Sequence, residues 1–173
     1  PWAVPWMDTV MPRLEELSAR HAEATIFTRC VPPRNAAEAK GTWKRYYERW
    51  QEVTLEVMNP EMVQLVPVLE RLTPPARVLY KMVYSPWTEG GLDRMLAGSG
   101  VDTLVISGGE TDVCVLGAMM GAVDRGYRVI LAEDATCSST DETHDGLMRL
   151  YESRYGQQIE TATVEQILSG WNA

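Results

Sequence analysis

Short apolar segments rich in β-branched residues alternate with stretches of helical periodicity, and this alternation constrains the fold of the 173-residue chain more than any other feature. Continuous apolar runs of this length are typical of strands that are buried on both faces of a sheet. Strands that alternate with helices indicate βαβ units and a mostly parallel sheet. The five strand segments are 24–28, 77–80, 103–106, 128–132 and 159–162.

The pattern predicts an α/β fold of three layers, in which a doubly wound, mostly parallel sheet of about six strands lies between helices. No internal repeat or shift of composition marks a boundary, so we expect a single domain over residues 1–173. The helix that begins near Thr9 lacks the strand that should precede it in a βαβ unit. We therefore expect a first strand upstream of Pro1, as an interior member of the sheet.

Helix boundary signals support this division of the chain. Asp8 and Thr9 are expected to cap the first helix, with Val10 at the start of its apolar stripe. Ser139, followed three residues later by Glu142, suits a capping box that opens a late helix. Gly126 is expected to stop the helix that precedes it.

Charge and composition exclude several classes of function. The formal net charge is −8, so a nucleic-acid partner is not expected. No run of about 20 apolar residues is present, so no membrane span is expected. Three cysteines do not make an even disulfide framework, and no signal peptide is visible, so we expect a cytoplasmic protein with reduced thiols.

Metal and nucleotide cofactors have no support in the sequence. The two histidines, His21 and His144, lie on separate predicted helices, and no Cys-x-x-Cys or His-x-His pattern is present. The glycine-rich fingerprints of dinucleotide and nucleoside triphosphate sites are also absent. We therefore expect neither a metal nor another cofactor.

Reactive side chains follow three of the predicted strands at their carboxyl ends, where open α/β sheets bind ligands. Cys114 lies in the first turn of a predicted helix, where free N–H groups and the helix dipole favour a thiolate nucleophile. It also belongs to a stripe of small residues with Gly117 and Gly121, which could serve only close packing. Lys81 ends an apolar strand and could stabilise a nearby negative charge, or simply extend towards water. A Cys114–His144 pair is a further possibility.

Aromatic residues occur in two settings. Trp87 and Tyr84 follow the strand that ends at Lys81, on the expected ligand side of the sheet, and they are predicted to bind substrate. A second set has helical spacing, which favours core packing; it comprises Trp43, Tyr46, Tyr47 and Trp50.

Taken together, segments 81–87 (KMVYSPW) and 108–115 (GGETDVCV) resemble the isochorismatase-like cysteine hydrolases, a family that includes nicotinamidases and N-carbamoylsarcosine amidases. The similarity continues through 124–129 (DRGYRV) and 134–137 (DATC), and it extends from about Pro12 to the C-terminus. It implies a parallel sheet of about six strands, in agreement with the pattern of alternation.

The resemblance also implies a Cys-Asp-Lys triad. Cys114 matches the nucleophile and Lys81 matches the lysine, while the aspartate belongs to the first strand and is expected upstream of Pro1. The backbone N–H groups of Glu110 and Cys114 match the oxyanion hole, and the peptide joining Gly109 to Glu110 matches a position that is often cis in the family.

Three departures from the family pattern narrow the expected function. No aspartate before Pro12 matches the triad residue, and Glu110 stands where a small residue is commoner. The zinc-binding residues of nicotinamidases have no counterpart, which argues against that activity. The isochorismatases proper lack the nucleophilic cysteine, so Cys114 argues against vinyl-ether hydrolysis.

The function expected from the sequence is therefore hydrolysis of a small amide or ureido-type C–N bond through an acyl-thioenzyme. A catalytically silent member that acts as a binding or assembly subunit is the alternative. The segment from Val113 to Val123 carries no charged residue, so its helix must be covered on nearly all sides. Gly117 and Gly121 would admit a close neighbour, and we expect a homo-oligomer.

Overall fold

The computed structural model describes residues 4–171, and within them it contains five strands and seven α-helices. The strands are β1 (Ile26–Cys30), β2 (Arg77–Lys81), β3 (Thr103–Gly109), β4 (Arg128–Cys137) and β5 (Ile159–Ala162). The helices are α1 (Met7–Arg20), α2 (Thr42–Arg49), α3 (Pro67–Glu70), α4 (Gly91–Leu96), α5 (Leu116–Asp124), α6 (Asp141–Arg154) and α7 (Val164–Gly170). A π-helical turn, Thr111–Val115, leads directly into α5.

All strand pairs are parallel, which confirms the predicted α/β class, but the strands form two sheets of five strands in total instead of one sheet of about six. One sheet holds β1 and β2, with Cys30 opposite Lys81. The other has the order β3-β4-β5. The strands β3 and β4 continue beyond the predicted apolar runs, and their register shifts between Ile106 and Gly108. This extension carries the backbone up to the loop that holds Cys114.

A cavity of about 730 Å³ separates the two sheets. Its walls include the whole of β1 on one side and all of β3 on the other. The carbonyl of Thr25 and the N–H of Val31 bond to β2, so the backbone groups of the intervening Thr28 point away from β2 and towards the cavity. The carbonyl of Asp102 bonds to Arg128 of β4, so Val105 on β3 likewise points its backbone groups into the cavity.

Helices cover both faces of the three-stranded sheet. On one face, α1 and α7 pack against β4, with an apolar core that contains Val10, Leu14 and Leu17, as the stripe of α1 predicts. On the other face, α5 and α6 pack against the sheet around the fully buried Met119 and Tyr151. This is the three-layer arrangement expected from the sequence.

The structure confirms the predicted end of α5, but the predicted N-terminal caps of α1 and α6 are wrong. Gly126 has φ of +80°, a conformation that suits glycine, and it follows the end of α5 as predicted. The first helix begins at Met7, where no side chain caps it, so the expected caps from Asp8 and Thr9 are wrong. Thr140, and not Ser139, caps α6, because its side-chain oxygen accepts the N–H of Thr143.

The glycines of α5 make room for another segment of the same chain. A Cβ on Gly117 would lie 3.3 Å from the backbone of Ser85, and one on Gly121 would lie 2.1 Å from Cδ1 of Trp87. The close neighbour predicted for these glycines is therefore the 85–87 segment, and their spacing supplies no argument for a second subunit. The homo-oligomer stays a prediction.

The longest helices in the described part of the chain, α1 and α6, have 14 residues each. A bilayer span needs about 20 residues. None of the helices within residues 4–171 is long and apolar enough to cross a membrane.

Candidate active site

Lys81 and Cys114 meet at the carboxyl ends of the strands. Lys81 is the last residue of β2 and only 4% of its surface is exposed. Its Nζ atom lies 3.2 Å from Sγ of Cys114 and donates a second hydrogen bond to the carbonyl oxygen of Val83 at 3.0 Å. A buried ammonium group requires such partners, and a negatively charged sulfur is the strongest partner that this site offers. The buried amine of Lys81 therefore has the sulfur of Cys114 as its side-chain partner.

The loop before Cys114 follows directly from the end of β3. The peptide bond between Gly109 and Glu110 is cis, at the position that the resemblance indicated. The carbonyl oxygen of Glu110 accepts hydrogen bonds from the N–H groups of Val113 and Val115, at 3.1 and 3.0 Å. The second of these spans five residues, which makes the turn that carries Cys114 π-helical.

Helix α6 holds this turn in place through contacts that sequence reasoning missed. The buried hydroxyl of Tyr151 donates to the carbonyl oxygen of Thr111 at 2.9 Å. The Oγ1 atom of Thr111 lies 2.8 Å from Nδ1 of His144. A further contact comes from outside α6, because Ser138, which follows β4, donates its hydroxyl to the carboxylate of Asp112. No local sequence motif joins these residues, since they are 26 to 40 positions apart.

The nearby carboxylates have other partners. Glu110 accepts the backbone N–H of Ser139 at 3.2 Å, which ties the cysteine loop to the end of β4. Asp134, in the extended part of β4, accepts the N–H of Val164 at 2.8 Å and lies 3.5 Å from Arg13. Asp134 thus links β4 to α7 and α1. Within residues 4–171, no carboxylate is hydrogen-bonded to Cys114.

His144 contacts Thr111 instead of Cys114. The only side-chain partner recorded for its ring among the described residues is the hydroxyl of Thr111. The Cys114–His144 alternative is therefore not supported, and His144 is a residue that positions the cysteine turn from α6.

Tyr84, three residues after Lys81, belongs to an aromatic group that includes part of α2. Its ring centroid is 4.7 Å from that of Trp43, and its hydroxyl shares a hydrogen bond with Tyr46. Desolvation raises the pKa of Tyr84, and the charges of Cys114 and Glu110 act in the same direction. The aromatic spacing on α2, which predicts core packing, therefore brings its rings into contact with Tyr84.

Trp87 packs in the core and also lines the cavity that Cys114 lines, so its role as a substrate contact stays a prediction. It is 5% exposed, and its indole N–H donates to the carbonyl oxygen of Ala118 at 2.8 Å. Its ring stacks on Tyr127, and the guanidinium of Arg125 lies over it at 4.4 Å. These contacts fasten the segment after β2 onto α5, which helps to place Lys81 beside Cys114.

Within the described residues, no three His, Cys, Asp or Glu side chains are grouped so that they could hold a metal ion. The three cysteines, Cys30, Cys114 and Cys137, are free thiols. The chemistry that the site offers is that of a cysteine sulfur in contact with a buried lysine amine, in a turn that leads into α5. Such a combination suits covalent attack on a carbonyl carbon.

Comparison with known sequences agrees with this geometry. The isochorismatase domain model matches residues 1–163. The chain is 30% identical over 132 residues to the ureidoacrylate amidohydrolase of Methylorubrum extorquens, an alignment that covers 76% of this chain and 46% of that protein. It is 27% identical over 82 residues to the maleamate amidohydrolase of Pseudomonas putida, which covers 47% of this chain and 38% of that protein. The chain thus spans less than half the length of these two relatives.

Solved structures share the fold. A cysteine hydrolase from Pseudomonas syringae pv. phaseolicola superposes with a TM-score of 0.81 at 19% identity, over 96% of this chain and 81% of that one. The N-carbamoylsarcosine amidase of Thermoplasma acidophilum superposes with a TM-score of 0.74 at 19% identity, over 94% of this chain and 87% of that one.

Proposed function

Because this chain belongs to the isochorismatase family, we propose that it is a cysteine-dependent hydrolase of a small amide or ureido-type C–N bond. The observation that carries the proposal is the 3.2 Å contact between Nζ of Lys81 and Sγ of Cys114. The relatives named as ureidoacrylate and maleamate amidohydrolases support the class of bond. We further propose that the protein acts in the cytoplasm as a homo-oligomer, without a metal or another cofactor.

In the proposed mechanism, the Cys114 thiolate attacks the carbonyl carbon of the substrate. The carbonyl π electrons move to oxygen, and the backbone N–H groups of Glu110 and Cys114 donate to this oxyanion; such donors contribute roughly 2.7–4 kcal/mol each to transition-state stabilisation. The C–N bond then breaks, the leaving nitrogen takes up a proton, and an acyl thioester remains on Cys114. Water attacks the thioester, and the acid and the free thiol are released.

The proton for the leaving nitrogen requires a general acid. The proposal assigns this role to the aspartate of a Cys-Asp-Lys triad, which takes the proton of the Cys114 thiol when the thiolate forms and then donates it to the nitrogen. The cavity between β1 and β3 supports a further parallel strand as its carrier, because both walls turn backbone N–H and C=O groups towards it. Such a strand fits directly before α1 in the polypeptide. Met7, in the first turn of α1, lies against Gly109 at the carboxyl end of β3, so the crossover from this strand through α1 to β1 would be short.

Hydrogen exchange tests the proposed strand. The intact natural polypeptide is compared with the same polypeptide cut back to residue 1. Protection of the Thr28 and Val105 amides in the intact form alone is the expected result. Equal exchange at both amides in the two forms would exclude the strand.

Ammonia release tests the catalytic proposal. Cys114→Ala in the intact polypeptide should abolish hydrolysis across a panel of small amides and leave the fold intact, because one small side chain is removed. Mass spectrometry of the parent enzyme, quenched during turnover, should detect an acyl adduct on Cys114. Activity of Cys114→Ala within tenfold of the parent would exclude the covalent mechanism.

The carboxylates of Glu110 and Asp134 have hydrogen-bond partners other than Cys114. This observation favours a second candidate, a catalytically silent subunit that binds a ligand or assembles with other chains. The rate at which the Cys114 thiol is alkylated distinguishes the silent subunit from the enzyme. Rapid, stoichiometric alkylation of Cys114 by iodoacetamide near neutral pH supports the enzyme, since a thiolate is the reacting form. A slow reaction, equal to that of a denatured-state thiol, supports the silent subunit.

A further inference from the structure

Glu110 is the first residue after β3, and its backbone belongs to the turn that carries Cys114. The carbonyl oxygen of Glu110 accepts the N–H groups of Val113 and Val115, at 3.1 and 3.0 Å. The N–H group of the same residue is one of the two donors that the proposed mechanism assigns to the oxyanion. The direction in which this N–H points therefore depends on the contacts that hold Glu110 in place.

The side chain of Glu110 makes a contact at the point where strand pairing ends. The last pair between β3 and β4 joins Gly109 to Cys137, so Glu110 lies one residue beyond the ladder. Its Oε2 atom accepts the backbone N–H of Ser139 at 3.2 Å. Ser139 comes two residues after the end of β4 and just before α6. The side chain thus continues the connection between the two chain segments beyond the last strand pair.

A neighbouring contact attaches the same turn to the same segment. Ser138, which is only 1% exposed, donates its hydroxyl to the carboxylate of Asp112. Ser138 and Ser139 are adjacent, and the two acidic residues that they bind are two positions apart in the turn. Attachment at two points restricts rotation of the turn about either point, which is how supporting contacts hold a reactive group in a fixed geometry.

The negative charge of Glu110 does not by itself favour the proposed chemistry, because a nearby carboxylate repels a developing oxyanion. Burial raises the pKa values of Tyr84 and Cys137, and the charge of Glu110 acts in the same direction on both. The useful properties of the side chain are therefore its length and its acceptor oxygen. The side-chain amide of glutamine has the same length and also supplies an acceptor oxygen.

From this arrangement we infer that the side chain of Glu110 positions the oxyanion hole, because its hydrogen bond to Ser139 fixes the residue whose N–H donates to the oxyanion. This inference rests on the proposed function, since it states how one donor of that mechanism is held. A small side chain at this position would not reach the N–H of Ser139. A displacement of about 1 Å at a reacting group can lower a rate about 100-fold, so the loss of this bond should be measurable.

Three substitutions at position 110 of the intact polypeptide separate length from charge. Glu110→Gln keeps the length and the acceptor, Glu110→Asp keeps the charge but is one methylene shorter, and Glu110→Ala removes both. We expect the Ala and Asp variants to lose at least about tenfold in kcat for ammonia release, with KM within about twofold, because oxyanion donors act in the transition state. Glutamine should restore kcat to within about threefold of the parent value.

Glu142→Ala is the matched control, because it removes an exposed carboxylate from the first turn of α6 and should leave kcat unchanged. A Glu110→Ala enzyme with parental kcat would overturn the inference. A loss in Glu110→Gln as large as that in Glu110→Ala would also overturn it, since the charge and not the hydrogen bond would then be required.

Alkylation of Cys114 distinguishes an effect on the oxyanion donor from general damage to the turn. Iodoacetamide reacts with the sulfur by displacement of iodide, so no oxyanion forms in this reaction. We therefore expect Cys114 of Glu110→Ala to be alkylated at the parental rate, although its kcat is lowered. A rate of alkylation that falls in parallel with kcat would show that the side chain acts on the thiol or on the fold of the turn, and it would overturn the assignment to the oxyanion hole.

Hydrogen exchange separates a failure of the inference from a failure of the proposed function. The amides of Ser139, Val113 and Val115 should exchange faster in Glu110→Ala than in the parent, and at the parental rate in Glu110→Gln. If this pattern appears but the parent hydrolyses no amide, Glu110 holds the turn as inferred and the hydrolase proposal fails. If the parent releases ammonia and Glu110→Ala matches it in exchange and in kcat, the hydrolase stands and the inference is wrong.

Discussion

The amine of Lys81 lies 3.2 Å from the sulfur of Cys114, although the two residues are 33 positions apart and the strands that carry or precede them, β2 and β3, belong to different sheets. Lys81 ends β2, and Cys114 lies in the turn that follows β3. Their contact depends on the 85–87 segment, which is fastened to α5 by the hydrogen bond between Trp87 and Ala118. The packing of this segment against α5, the helix that follows Cys114, thus helps to position Lys81.

Lys81→Met should lower kcat about 100-fold or more, as expected when one preorganised charge is removed from a site that stabilises a developing anion. Methionine keeps the length and apolar character of the side chain, so the fold should survive. Lys44→Met is the control, since Lys44 is exposed and pairs loosely with Glu48 at 3.9 Å. If both variants retain parental activity, Lys81 has no role in the reaction.

Gly121→Ala should destabilise the protein by about 1–3 kcal/mol, because its Cβ would overlap the indole of Trp87. Gly146→Ala, in α6, meets no atom within 4 Å and should stabilise the protein by up to about 1 kcal/mol through its higher helix propensity. Urea unfolding measures both free energies. A neutral Gly121→Ala variant would contradict the packing of Trp87 against α5.

Tyr151→Phe should cost about 1–3 kcal/mol of stability, because the buried carbonyl of Thr111 loses its donor. The turn that carries Cys114 loses an anchor at the same time, so kcat should fall while KM changes little. Tyr80→Phe, at an exposed position, should change neither quantity. A Tyr151→Phe enzyme of unchanged kcat would show that the anchor is not needed for catalysis.

Activity should survive dialysis against EDTA, since within residues 4–171 no group of ligands is arranged to hold a metal ion. The measurement is ammonia release before and after dialysis. Loss of activity that zinc restores would contradict the metal-free mechanism.

Light scattering at micromolar concentration should give a mass above that of one chain. The surface that would be covered is not α5, whose glycines pack against Ser85 and Trp87. The exposed apolar side chains Tyr80 and Met82, on and just after β2, are a more suitable place, because β2 has an open edge within the described part of the sheet. A monomeric mass would contradict the homo-oligomer.

Sequence periodicity predicted the elements of the fold better than their ends. Each of the five strands overlaps the apolar run that predicts it. The first strand, β1, lies at Ile26–Cys30 and not at 24–28, because its pairing with β2 extends from Arg77 to Lys81. The apolar run does not predict the extension of β4 to Cys137, because Glu133 and Asp134 interrupt it and the last residues pair only through the shifted register with β3. Thr140 caps α6 in place of the predicted Ser139, because two adjacent hydroxyl residues fit the same local sequence pattern.

The sequence by itself determined the class of fold, the family and the two reactive candidates, Lys81 and Cys114, because strand periodicity and the motifs around these residues are local properties of the chain. Tertiary structure decided which side chains meet. Trp87 is buried in the core, and His144 contacts Thr111. Asp134 accepts a hydrogen bond from Val164 and lies near Arg13, and the rings of α2 contact Tyr84. Such contacts depend on crossovers and packing between residues 26 or more positions apart, which no local pattern encodes.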